Sequence, residues 1–307
     1  MLTGPTGWIG QALLALMHRD DDVDSLAATD RISLFGSRDG EVVIAGHKAV
    51  PVRPLGEIRP DDVDGAHVIH LAYLTKDKVA QLGEDAFWKM NRQIDGTLLT
   101  ALRDASPATL FVASSGAAQL AERRNDRHPY GLSKLEQETR FLEWARQSGV
   151  PTMCGRIFNL AGPHINKLDA YAVSNFAQQA LRERRIAISA ALPVFRSFLH
   201  VEDLGRIVLR AARSGIGRNR PWDLCGTQLL EMQDIAEMVA AEVGVGTEIE
   251  RPVLNLETRS DYLGAGQDTW EISAELSVRL TDARTQVRDT VDWIRKMEST
   301  AFQQASF

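Results

Sequence analysis

The feature that most constrains this chain is an alternation running through its first 160 residues. Short apolar runs stand at ISLFG (32–36), AHVIHLAY (66–73), ATLFVASS (108–115) and PTMCGRIFNLAG (151–162), with stretches of helical periodicity between them. Compact apolar runs of this kind suit strands buried on both faces, and strands that alternate with helices pair in parallel. The pattern predicts an α/β fold, a doubly wound (Rossmann) parallel sheet. Ile9, Ala12, Leu13, Leu16 and Met17 recur at helical spacing, so a helix is expected from about Trp8 to the run Asp20, Asp21, Asp22, which reads as a solvated loop. TLLTALRDA (97–105) reads as part of another helix. Leu132, Leu135, Leu142 and Ala145 line one face of a third, which stops at Gly149 with Pro151 just beyond.

The second half has fewer strand signals and two late amphipathic helices, one marked by Met232, Ile235, Val239 and Val243, the other by Val287, Val291, Ile294 and Met297. The expected organisation is a dinucleotide-binding Rossmann domain over 1–160 and a smaller mixed α/β substrate lobe over 161–307. Residues 196–214 are expected to pack back on the first domain. A net charge of −6 with no long basic run argues against nucleic acid or an anionic membrane surface as partner, leaving small-molecule chemistry. Cys154 and Cys225 lie in apolar stretches without zinc or redox spacing and read as buried thiols, and no metal is expected. The apolar run after Met1 is interrupted by Gly10, Gln11 and then HRDDD, which suits neither a signal peptide nor a membrane span; a cytoplasmic location is expected.

Gly4, Gly7 and Gly10 form a GxxGxxG loop whose third glycine lies inside the first helix. Such glycines permit a tight turn and close backbone approach, while N–H groups at the helix start face phosphates. Only Met1 and Leu2 precede Thr3, whereas a central strand runs about five or six residues. The expectation is a start a few codons upstream, or a truncated copy with a weakened sheet and looser cofactor binding. Tyr130-Gly-Leu-Ser-Lys134 opens the third helix, and a spacing of four puts phenol and ammonium on one face, where the cation favours the phenolate. Ser114 and Ser115 end a strand where its carboxyl end meets the crevice of a doubly wound sheet.

Taken together, these segments resemble the extended short-chain dehydrogenase/reductases, in the NAD-dependent epimerase/dehydratase family acting on nucleotide sugars. TGPTGWIG resembles that family's TGxxGxxG loop, and HVIHLAY (67–73) its strand under the adenine and ribose. DGTLLTAL (95–102) resembles its GT-x-x-LL-x-A helix, VASS its serine strand and HPYGLSK its active-site helix. RIFNLAGP (156–163) and RSFLHVEDLGRIV (196–208) are similar to segments beyond the sheet. The resemblance implies a catalytic set of Ser115, Tyr130 and Lys134. It implies cofactor contacts from Gly4, Gly7, Trp8, Ile9, Gly10, Leu71, Ala72, Tyr130 and Lys134, and substrate contacts from Ser115, Asn159 and Arg196, the last a fork for diphosphate. A nucleotide-sugar substrate and a homodimer are the partners it implies.

Ser37 and Arg38 stand where a carboxylate would bind the ribose 2′-OH of NAD; serine and arginine suit a 2′-phosphate, which favours NADP over NAD. Dehydratases of the family carry an Asp-Glu pair after the active-site serine or threonine. Here Gly116, Ala117, Ala118 and Gln119 follow, which argues against elimination. The expected reaction is reduction of a nucleotide-linked 4-keto sugar. C4 epimerisation with tightly bound NAD is the alternative, and a non-catalytic NADP sensor a third reading that the presence of Tyr130 and Lys134 disfavours. His128, His164 and His200 sit beside family segments, and His67 and His70, three apart on a strand, point to opposite faces. Gln93 stands where an asparagine is usual, with Asn91 two residues upstream; residues 254–271 match nothing in the family pattern.

Overall fold

The computed structural model describes residues 1–19, 32–43 and 49–305, with side chains to residue 299. Asp20, Asp21 and Asp22 lie outside the described residues. In chain order come β1 (Leu2–Thr3), α1 (Trp8–Arg19), β2 (Leu34–Gly36), β3 (Gly40–Val42), β4 (Val50–Pro54), α2 (Pro60–Val63), β5 (His67–His70), α3 (Asp77–Leu82) and α4 (Glu84–Arg103). Then follow β6 (Thr109–Ser115), α5 (Gly116–Glu122), α6 (Pro129–Ser148), β7 (Thr152–Ile157), β8 (Asn159–Ala161), α7 (Ala172–Glu183), β9 (Arg185–Ala187), β10 (Val194–Arg196) and β11 (Phe198–His200). The chain continues through α8 (Val201–Arg213), β12 (Trp222–Leu224), β13 (Leu230–Glu231), α9 (Met232–Val243), β14 (Glu248–Glu250), β15 (Ser260–Tyr262), α10 (Gly266–Glu275) and α11 (Ala283–Ala305).

Two compact units emerge: Met1–Ile157 with Gly205–Asp223, and Phe158–Leu204 with Leu224–Phe307. The first is built on one sheet of order β12-β7-β6-β5-β1-β2-β4-β3. Its strands run parallel from β7 through β6, β5, β1 and β2 to β4, and the edge strand β3 runs antiparallel to β4. The sheet is thus the doubly wound one that the strand–helix alternation predicts. β1 is central although it has two residues: Leu2 and Thr3 pair with Leu34 and Phe35 on one side and with Ile69 and His70 on the other. Reversal of the strand order at β1 opens a crevice at the carboxyl ends, the usual ligand position in such sheets.

An apolar core covers the face of the sheet against α4 and α6. Phe35, Val68, Leu110, Val112 and Cys154 from the strands pack with Leu98, Leu102 and Phe141 from α4 and α6. Cys154 and Cys225 are both buried thiols outside any disulfide, as their apolar settings imply. Helix α6 enters through Pro129 at its first turn and ends at Gly149 in the left-handed conformation (φ 74°).

The single strand expected over 151–162 is two strands. β7 ends at Ile157 in the large sheet, and β8 pairs in parallel with β11 in the second unit, with the break at Phe158, whose N–H donates to Leu224 O at 3.1 Å. The second unit packs α7, α9 and α11 around Phe176, Ile186, Ile235, Val239, Val291 and Ile294. Its remaining strands form short pairs and a three-stranded sheet of order β13-β10-β15.

Candidate active site

The glycine loop joins β1 to α1. Gly4 adopts φ +70° and its N–H donates to Phe35 O at 2.8 Å, which ties the turn to β2. A Cβ on Gly10 would lie 2.4 Å from Gly4 O and 2.8 Å from Pro5 Cα, so the helix start and the loop touch backbone to backbone. At Gly7 the nearest atom would be 3.5 Å away, an ordinary contact. The protein's own packing therefore demands a bare Gly10 and leaves Gly7 with room that a closely approaching ligand could use. The loop leads directly into the first turn of α1, which begins at Trp8, and a helix start favours a negatively charged group. This cradle fits a dinucleotide pyrophosphate.

Ser37 and Arg38 follow β2 directly on an exposed bend. Because β2 runs parallel beside β1, they stand at the same sheet edge as Gly4. Leu71 and Ala72 follow β5 on the other side, and their N–H groups donate to Thr3 Oγ1 at 3.1 and 3.0 Å. Both N–H groups are thus used within the protein.

Strand alternation sends the two serines of β6 to different tasks. Ser114 Oγ donates to Glu138 Oε1 at 2.5 Å, while Ser115 Oγ accepts the Ala117 N–H at 3.2 Å and caps α5. The start of α6 lies hard against α5: a Cβ on Gly131 would be 2.6 Å from Ala117 O. Tyr130 is therefore held one residue from a backbone contact with the turn that Ser115 caps. One helical turn on, Lys134 is buried, its Nζ donating to Ala113 O at 2.6 Å and to Gln137 Oε1 at 2.9 Å. Its ammonium also lies 3.6 Å from the centroid of the Tyr73 ring, and the Tyr73 hydroxyl bonds to Ser133 Oγ.

Burial pulls the Lys134 pKa down to about 7, against the opposing pull of Asp95, Glu138 and Cys154. Burial first, with Asp95 next, pushes the Tyr73 phenol well above its ordinary range. The first four residues after Ser115 carry no carboxylate. Glu122, the next acid, is paired with Arg156 at 2.8 Å.

The other two expected substrate residues lie in the second unit. Asn159 Nδ2 donates to Ser197 O at 3.4 Å and Tyr262 O at 3.5 Å. The Arg196 guanidinium donates to neutral oxygens, Phe195 O at 2.7 Å, Ser260 O at 3.1 Å and Ser260 Oγ at 3.3 Å, and burial lowers its pKa. Its charge is therefore not spent in a hydrogen-bonded carboxylate pair. Beside it, the buried Ser197 hydroxyl has no hydrogen-bond partner among the described residues.

Several site residues escaped the reading of the sequence. Tyr73 is one. Asn91, noted in the sequence as an asparagine two residues from the usual position, is buried and accepts the Leu74 N–H at 2.9 Å, while Gln93 is exposed. Asp95 and Gln137 are the others, joined with His70 by hydrogen bonds behind Lys134. A signal was available in α4, where Asn91 and Asp95 share the apolar face with Leu98 and Leu102. His67 and His70 do face different surroundings: His67 Nδ1 meets Thr109 Oγ1 at 2.8 Å, and His70 is enclosed beside Thr3. Among the described residues no group of histidine, cysteine and acidic side chains could hold a metal ion, and no helix is long and apolar enough to cross a membrane.

A mostly parallel sheet with a glycine loop at its order reversal and a Tyr-x-x-x-Lys helix beside a serine strand defines a nucleotide-cofactor enzyme class. The family model for the NAD dependent epimerase/dehydratase family matches residues 1–224, and the chain belongs to that family. It is 28% identical over 215 residues to GDP-6-deoxy-D-mannose reductase of Pseudomonas aeruginosa, covering 64% of this chain and 68% of the relative. It is 24% identical over 265 residues to UDP-glucuronic acid decarboxylase 6 of Arabidopsis thaliana, covering 81% and 76%. Against UDP-glucuronic acid decarboxylase 1 of Xenopus tropicalis, at 30% identity over 120 residues and 39% of this chain, the match spans only 28% of that protein. Among solved structures, RMD from Pseudomonas aeruginosa complexed with NADPH superposes with a TM-score of 0.69 at 21% identity, covering 96% of this chain and 99% of the other. WbmF of Bordetella bronchiseptica in complex with NAD+ gives 0.75 at 17% identity, covering 99% and 94%. These likenesses show the fold.

Proposed function

We propose that this protein reduces a nucleotide-linked 4-keto sugar at the expense of NADPH, with Ser115, Tyr130 and Lys134 as its catalytic residues. The observation that carries the reading is the serine strand and Tyr-x-x-x-Lys helix held together at Gly131, with no carboxylate in the first four residues after Ser115. When bound, the nicotinamide cofactor supplies the hydride. The Tyr130 hydroxyl gives its proton to the sugar oxygen as that oxygen gains charge, and the Ser115 hydroxyl holds the same oxygen in place. Lys134 supplies the positive charge that lets the phenol exchange its proton near neutral pH. Elimination of water would need a further acid and base beside Ser115. Glu122, the nearest acid along the chain, is engaged with Arg156.

Ser37 and Arg38, exposed at the end of β2, support NADP over NAD, because a hydroxyl and a guanidinium suit a 2′-phosphate. Asn159, Arg196 and the unpartnered Ser197 hydroxyl support the second unit as the holder of the nucleotide diphosphate. The similarity to a GDP-6-deoxy-D-mannose reductase supports the same reading.

The test is NADPH absorbance during incubation with a panel of nucleotide-linked 4-keto sugars. Stoichiometric loss of NADPH is expected, with a fall of about a hundredfold to ten-thousandfold in kcat for Tyr130→Phe. Cofactor retained through purification, with sugar interconverted and no net cofactor consumed, would overturn the reading in favour of a C4 epimerase.

A further inference from the structure

We propose that Asp95 and Gln137 are positioning residues for Lys134, the end of a buried hydrogen-bond relay that His70 and Thr3 anchor to the glycine loop. The inference rests on Lys134 having the role given above. Every member lies in the first unit, and all are buried.

The hydrogen bonds fix their own directions. Lys134 Nζ donates to Gln137 Oε1 at 2.9 Å, so the Gln137 amide turns its Nε2 to Asp95 Oδ1 at 2.7 Å. At the other end, Thr3 Oγ1 accepts the Leu71 and Ala72 N–H groups, which uses both its lone pairs. Its own proton must then go to His70 Nδ1, 2.9 Å away. That assigns the Nε2–H tautomer, and His70 Nε2 donates to Asp95 Oδ1 at 3.3 Å. Both arms therefore converge on one carboxylate, whose second oxygen lies 3.8 Å from Arg140 Nη1.

Two consequences follow for the lysine. Of its three N–H donors, one is directed to Ala113 O and one to Gln137, and the Tyr73 ring lies over the ammonium. Its position relative to Ser115 and Tyr130 is thus set partly by where Asp95 holds the Gln137 amide. The Asp95 charge also offsets the burial of the ammonium. The groups acting on Lys134 are Asp95 from α4, Glu138 from α6, Cys154 from β7 and Tyr73 beyond β5, and Glu138 is itself tied to Arg156. Asp95 is the larger of the charge influences that keep the lysine protonated against burial. The anchor at Thr3 joins the residue before Gly4 to the loop after β5, so one relay links the lysine to both loops of the cofactor cradle.

The test is the titration of Lys134 in the ligand-free protein, followed by NMR with ε-carbon-labelled lysine and assigned with a Lys134→Arg variant. In the unaltered protein the midpoint is expected near 7. In Asp95→Asn it should fall by about one to two pH units, the size of one carboxylate several ångströms away in a protein interior. Gln137→Leu should lower it in the same direction, and Asp95→Glu should restore it. Thr109→Val, which removes a buried hydroxyl outside the relay, should leave it unmoved.

Midpoints in Asp95→Asn and Gln137→Leu that match the unaltered protein would overturn the proposal, as would an equal displacement in Thr109→Val. If one of the first two fails to fold, the other decides. The titration needs no substrate, so a displaced midpoint in a protein inert towards every 4-keto sugar upholds the relay and sinks the reductase reading. Turnover with an undisplaced midpoint does the reverse.

Discussion

Alanine at Gly10 and alanine at Gly7 should fail in different ways. A Cβ at Gly10 sits 2.4 Å from Gly4 O and 2.8 Å from Pro5 Cα and C, all backbone atoms that cannot swing aside. Relief to an ordinary contact requires the loop to move by about 1 Å against α1, and overpacking of this kind costs about 1–3 kcal/mol. The loop is also pinned by the 2.8 Å bond from Gly4 N to Phe35 O, and losing it adds about 0.5–1.5 kcal/mol. Gly10→Ala should therefore destabilise the first unit by about 2–4 kcal/mol, a fall in Tm on the order of 5–15 °C. Cofactor affinity should fall with it. At Gly7 the nearest atom is 3.5 Å away and φ lies outside the left-handed region, so alanine fits the free protein. Replacing glycine there should leave Tm level or raise it slightly, because the unfolded chain loses freedom. A methyl group in the path of a pyrophosphate should nonetheless weaken NADPH binding by about ten- to a hundredfold. Thermal unfolding by circular dichroism and NADPH titration by fluorescence measure both quantities. A Gly10→Ala protein with unchanged Tm would refute the packing argument, and a Gly7→Ala protein with undiminished affinity would show that no phosphate approaches there.

Arg156 makes a two-pronged pair with Glu138, at 2.8 and 2.7 Å, and Glu138 is 2% exposed. Arg156→Met leaves that buried carboxylate with the Ser114 hydroxyl and the Lys134 charge but without its ion-pair partner, and should cost about 3–5 kcal/mol in urea unfolding, with Glu138→Gln recovering part of the loss in the double variant. In the second unit, hydrogen bonds from Arg251 hold the Glu231 carboxyl down at about 2, helped by the Val194 and Gln233 N–H groups. A lowered carboxylate pKa stabilises the fold above the unfolded-state value of about 4.5 and is lost as pH falls through the folded value. Urea midpoints should therefore drop between pH 4.5 and 2, less steeply in Glu231→Gln, and equal slopes would contradict this assignment.

Much of the first unit was legible because apolar runs such as those around β5, β6 and β7, whatever the length of the strand within them, are separated by helices with clear stops, such as Gly149 after α6. The glycine loop, the two serines and Tyr130 to Lys134 were legible because their spacing is local. Asp95 and Gln137 were not, because each is an ordinary polar residue on a helix until the fold buries it. Nothing in the spacing of Asp95 and Gln137, which meet at 2.7 Å, announces a contact across two helices. The second unit was read mainly from its late helices. Its strands have two or three residues each, too few for a period of two to register. The run over 151–162 misled for the opposite reason: its apolar character continues through Phe158 while the chain passes from one unit to the other.

The three-stranded sheet of the second unit draws together segments far apart in the chain. Val194 to Arg196 pair in parallel with Ser260 to Tyr262 and antiparallel with Leu230 and Glu231. Residues 254–271, which follow no recognisable pattern, thus supply the backbone and ring that flank Arg196. On the substrate role proposed for Arg196, specificity is not modular along the chain. A graft carrying 194–197 from a relative with another preference would arrive without the strand that aims its arginine, and a graft of 260–262 alone would aim at a foreign side chain. Exchange of substrate preference within this scaffold calls for the three segments to be transplanted as one cassette, in register.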